Sequence, residues 1–150
     1  MPDTSHILLL TALGIASATT LMTLRIAKMS GLSAERTVAE LRLAQITALL
    51  LVMVSSAYLG FAALLENRLG GGLDVVLAVG FLIVAITATL REPREALTIL
   101  ALGFIAHALV DILHRPGALP AVITPRWYLL GCAILNLYTA ALCYLPVIKR

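Results

Sequence analysis

The chain has 150 residues, 61% of them hydrophobic and 13% charged, with a formal net charge of +3, and its mean hydropathy is +1.00. A soluble domain holds about 45–50% apolar and about 25% charged residues, so this sequence reads as a polytopic membrane protein forming a single domain over residues 1–150. Its positive charge flanks apolar runs instead of building a basic, aromatic surface, which excludes nucleic acid as a partner.

The first residues, MPDTSHILLL, lack a basic n-region and a small-residue cleavage site, so they read as a retained first span and not a signal peptide. Five apolar runs follow one another: about 7–29, 43–65, 73–90, 96–114 and 127–148. Runs of about 18–23 residues suit a hydrocarbon core of about 30 Å. They show no alternating polarity, which a membrane barrel requires, so the expected fold is an all-α bundle of five transmembrane helices.

The breaks between runs have local causes. Gly70, Gly71 and Gly72 do not continue a helix cheaply, Pro93 sits in the charged REPRE turn, and Pro116, Pro120 and Pro125 punctuate the last connection. The first connection, SGLSAERTVAELR, is the most polar stretch. It reads as a short interfacial helix or as an extension of the second span, with Arg36 and Glu40 paired at i,i+4 on a solvated face.

Lys and Arg set the expected orientation. With the N-terminus outside, the cytoplasmic segments carry Arg25, Lys28, Arg36, Arg42, Arg91, Arg94, Lys149 and Arg150, eight in all, against Arg68, Arg115 and Arg126 outside. This favours N-outside, C-cytoplasmic. The polar residues suited to chemistry then gather near the outer face: His6, Glu66, Asp74, His107, Asp111, His114, Cys132 and Asn136.

The fourth run holds the most informative segment, LGFIAHALVDILHRP. On a helix His107, Asp111 and His114 fall at about 0°, 40° and −20°, one narrow face. Two imidazoles and a carboxylate inside a membrane are costly unless something pairs with them. Two His and one carboxylate suit zinc or non-haem iron. His107 and His114 are roughly 10.5 Å apart along the axis, so two of the three joined by Glu66, Asp74 or His6 from another span make the better ligand set. A metal-free version has Asp111 orienting a histidine that works as acid or base. The structural alternative gives His114 and Arg115 to the helix end and the interface, pairs Asp111 with Arg115, and leaves His107 as a packing histidine.

The fifth run carries a matching stripe, Cys132, Asn136, Thr139 and Cys143, spaced +4, +3, +4. Consecutive spans are expected to be antiparallel neighbours, which places Asn136 at the depth of His107 as its cross-helix partner. Cys132 and Cys143 are too far apart on one helix to bridge. Glu66-Asn67 before the glycines reads as a membrane-surface turn first and a ligand second. Gly14 and Ala18 read as helix packing, and Trp127-Tyr128 as an interfacial belt. No GxSxG, P-loop, HExxH or CxxC occurs.

The His107-x3-Asp111-x2-His114 helix, the Pro-containing connection and Leu130-Gly131-Cys132-Ala133 resemble an uncharacterised family of small bacterial integral membrane proteins, a domain of unknown function. The stretch Ala57-Tyr58-Leu59 with Glu66 beyond it is similar too. Val110 stands where that pattern carries Trp, Arg115 where it carries a second His, and Asn136 where it carries Asp. The resemblance implies a multi-pass protein of the bacterial inner membrane and supplies no activity.

These readings together lead to the expectation of a small membrane protein with a His/Asp site near the outer face. It depends on a divalent metal such as zinc or iron and acts on a lipid-soluble substrate. In it His107, Asp111 and His114 are catalytic or metal-binding, Glu66 is a further ligand, and Asn136 and Cys132 support. The alternative is a non-catalytic accessory subunit within a homo-oligomer or a larger membrane complex, with lipids as its other partners. The orientation has a direct check: a reporter fused after Arg150 is expected to be active only in the cytoplasm, and activity on the outer side would overturn it.

Overall fold

The computed structural model describes residues 4–64, 71–114 and 126–149. Among these residues the fold is all-helical: α1 Thr4–Ala27, α2 Ala34–Leu64, α3 Gly71–Thr89, α4 Pro93–Leu113 and α5 Arg126–Ile148. All five are long and apolar enough to cross a membrane. With every backbone bond closed inside its own segment, such helices satisfy what hydrocarbon demands of a spanning chain.

The helix ends follow their residues. Pro93 opens α4, where a missing N–H costs nothing, and Glu92 is its N-cap residue without a side-chain capping bond. Gly71 and Gly72, expected in the break, instead begin α3. The second helix starts at Ala34, nine residues before the apolar run. The polar first connection is therefore largely an extension of that span.

The extension corrects one expectation. Arg36 and Glu40 do not form a solvated face: both are buried, with Arg36 Nε donating to Glu40 Oε1 at 2.8 Å. Arg36 also donates to the backbone carbonyls of Met29 at 3.1 Å, Pro146 at 2.9 Å and Lys149. Arg94 donates to the carbonyl of Val147 at 2.5 Å. The carbonyls at a helix C-terminus lack intrahelical partners and carry negative charge, so two arginines from α2 and α4 cap α5. Pro146, inside α5, lacks the N–H that Leu142 O would otherwise accept. The Thr23 hydroxyl from α1 takes that carbonyl at 3.3 Å.

The bundle packs α4 at its centre, in contact with α2, α3 and α5, while α1 lies against α5 and α2. Leu43, Leu51, Leu97, Leu100 and Phe104 form the fully buried centre. Gly103 is the tightest crossing: a Cβ built there lies 3.1 Å from Leu51 Cδ2 and 3.1 Å from Val84 Cγ1, so α2, α3 and α4 meet around it. Gly14 and Ala18, read as helix packing, are instead exposed, and Gly14 has open space beside it.

Removing one partner of a buried ion pair leaves the other uncompensated. Arg36→Ala is expected to cost about 3–5 kcal/mol in a detergent unfolding measurement, with part recovered in the Arg36→Ala, Glu40→Ala double variant. A loss below about 1 kcal/mol, the range of exposed pairs, would contradict the clasp.

Candidate functional site

The site lies at the end of the bundle where α2 and α4 finish and α3 and α5 begin. Helical spacing turns His107, Asp111 and His114 to one side of α4, and all three are buried. Buried with them are Tyr58 from α2, Asp74 and Phe81 from α3, and Cys132 and Asn136 from α5.

Asp111 is the hub. The Tyr58 hydroxyl donates to its Oδ1. Asn136 Nδ2 donates to its Oδ2 at 3.0 Å, and His107 Nδ1 lies 3.2 Å from the same oxygen. The cross-helix contact expected between Asn136 and His107 is present, Nδ2 to Nδ1 at 2.9 Å. The same amide nitrogen lies 3.4 Å from Cys132 Sγ. Three acceptors of three elements, a nitrogen, an oxygen and a sulfur, thus converge on one amide that has only two hydrogens to give. On the far sides of these groups, His107 Nε2 and Asn136 Oδ1 are buried and have no hydrogen-bond partner among the described residues. Native interiors leave few such atoms.

His114 belongs to a second pair. Its Nδ1–H donates to the Val110 carbonyl at 2.8 Å, and its Nε2 lies 2.8 Å from Asp74 Oδ1. Asp74 stands in the first turn of α3, where the helix dipole favours a carboxylate. The interfacial, solvent-facing role considered for His114 is not what is seen, since its side chain is 3% exposed. The rise along α4 separates the two histidines as geometry requires. The Tyr58 ring lies beside both, its centroid 5.4 Å from that of His107 and 5.3 Å from that of His114. Phe81 covers His107 with centroids 4.7 Å apart.

The ligand atoms of His107, Asp111 and Cys132 lie within 4.8 Å of one another. This set departs from the one expected from sequence. Cys132 stands where His114 was expected, because α5 faces the same stretch of α4 as His107. Glu66 and Arg115, expected as a ligand and as a partner of Asp111, lie outside the described residues. His6 is exposed on the first turns of α1. Tyr58 and Phe81 are the members that sequence reading did not assign: an aromatic residue in an apolar span gives no signal that separates packing from site.

No protein-family model, no curated protein and no solved structure matches this chain.

The Tyr58 hydroxyl can be tested apart from its ring. Tyr58→Phe is expected to lower stability by about 1–3 kcal/mol, the cost of leaving a buried acceptor short of a donor. Tyr58→Ala is expected to cost more, since it also removes the ring from both imidazoles. An unchanged stability in Tyr58→Phe would show that the bond to Asp111 contributes nothing.

Proposed function

We propose that this chain is a small multi-pass protein of the bacterial inner membrane that binds a divalent transition metal within the bundle and acts on a lipid-soluble substrate. The carrying observation is the convergence of His107, Asp111 and Cys132 from two helices at one buried point.

Charge supports this reading. An Asp111 carboxylate and a Cys132 thiolate with a neutral His107 imidazole balance a divalent cation, leaving no net charge inside hydrocarbon. Mixed nitrogen, oxygen and sulfur donors suit zinc, for which tetrahedral bonds of about 2.0–2.3 Å are the norm. Ligand atoms in such a set stand about 3.5 Å apart, so side chains within 4.8 Å need only small torsional changes.

Asn136 fits as the fourth member. As placed, its Nδ2 fills the point where the three acceptors converge, and its Oδ1 is the atom without a partner. A half-turn of the amide brings Oδ1 toward the others and completes four donors. Tyr58, bonded to Asp111, holds the carboxylate in orientation. A metal held by His107, Asp111 and Cys132, with the Asn136 amide as the ligand that water or substrate displaces, would supply a Lewis acid or an activated water at neutral pH. Among the described residues Arg25, Lys28, Arg36, Arg42, Arg91, Arg94 and Lys149 lie toward the opposite end of the bundle, which by the positive-inside rule supports a centre near the outer face.

The accessory-subunit reading draws on a different observation. Gly14, Ala18 and Gly131 present small residues on exposed helix faces, with open space beside both glycines. Such faces suit close approach of another transmembrane helix.

Cobalt(II) is the probe for the centre. Titrated into the detergent-purified protein, it is expected to give a thiolate-to-cobalt charge-transfer band that Cys132→Ser removes. Asn136→Leu is expected to weaken cobalt binding by about 10–100-fold, the usual effect of losing a supporting partner, and Asn136→Asp to strengthen it. Absence of the band, or its persistence in Cys132→Ser, would refute the proposal.

A further inference from the structure

At the other end of the bundle, α1 and α2 diverge around a groove of about 600 Å³. Met22 and Ile26 of α1 and Val38 of α2 line it with apolar surface, while Arg25 and Arg42 flank it from the two helices. Both guanidinium groups are exposed, and neither makes a hydrogen bond or ion pair with any described residue. They differ in this from Arg36, Arg91 and Arg94, which are held by Glu40, Glu95 and the Val147 carbonyl. Glu35 also lines the groove. It stands in the first turn of α2, where the helix dipole holds a carboxylate, and it contacts neither arginine.

Arg42 lies eight residues into α2, about 12 Å along the helix. It is the last residue before the apolar run of that helix, which puts its cation at the membrane interface, where anionic head groups lie. An apolar slot between two spans with two free guanidinium groups at its rim matches one class of ligand in shape and charge. Basic pockets between transmembrane helices on the cytoplasmic side take anionic lipid head groups.

We infer that this groove is a binding site for one anionic phospholipid, its phosphate between Arg25 and Arg42 and an acyl chain along Met22, Ile26 and Val38. The inference is independent of the metal centre. The apolar floor selects a lipid over a soluble anion, and the arginine pair selects an anionic over a zwitterionic head group.

The test is native mass spectrometry of the purified chain after exchange into mixed micelles holding equal phosphatidylglycerol and phosphatidylcholine. Wild type is expected to retain phosphatidylglycerol preferentially. Each of Arg25→Gln and Arg42→Gln is expected to reduce the preference by about fivefold, the factor that roughly 1 kcal/mol per basic side chain gives. Both positions are exposed, so the variants keep the fold. Arg91→Gln, an exposed arginine outside the groove, is the control and is expected to leave the preference intact. Equal retention of the two lipids by wild type would overturn the inference. So would an undiminished preference in the double variant, or an equal loss in Arg91→Gln.

Discussion

A carboxylate buried among transmembrane helices has to be satisfied from within the protein, and Asp111 meets that demand by drawing on three helices at once. Tyr58 of α2 and Asn136 of α5 donate to it, and His107 of its own helix lies against it. Buried as it is, the carboxylate depends on these partners, so the relative rotation of α2, α4 and α5 is coupled to one oxygen pair. The second pair, His114 with Asp74, ties α3 to α4 in the same layer. Apolar surface alone does not specify which faces meet in lipid, because the tails are as apolar as leucine. These polar contacts supply the specificity that hydrophobicity lacks.

The opposite end is fastened by a different device. Arg36 and Arg94 reach the last carbonyls of α5, and Glu40 holds Arg36 in place. Pro146 adds an acceptor by leaving Leu142 O to Thr23. α5 is therefore held by carbonyl caps at one end and by Asn136 at the other. Between the two ends lies the apolar centre around Leu97, Leu100 and Phe104. Gly103 lets three helices cross closely there.

Much of this was legible from residues. Run lengths and breaks give five helices because hydrocarbon permits few alternatives, and the observed ends fall within a few residues except at α2. The +4, +3 spacings of α4 and α5 place His107, Asp111, Cys132 and Asn136 on facing stripes. Other features were not legible for physical reasons. Periodicity assigns a residue to a face but not to a neighbour, so Arg36 and Glu40 looked solvated although the end of α5 covers them. It was silent on whether His114 would turn to His107 or to Asp74, a choice made by where α3 begins. Tyr58 has the hydropathy of a packing residue, and only the fold brings its hydroxyl to Asp111. Gly14 and Ala18 share a face that α2 and α5 leave uncovered.

The account turns on whether the convergent donors hold a metal. The most direct measurement is elemental analysis of the protein purified from membranes without chelator, beside His107→Ala and His114→Gln. The account predicts near-stoichiometric zinc or another divalent transition metal in the parent, retained in His114→Gln and lost in His107→Ala. A parent without metal, or a His107→Ala variant that keeps it, would contradict the centre and leave the network to helix packing alone.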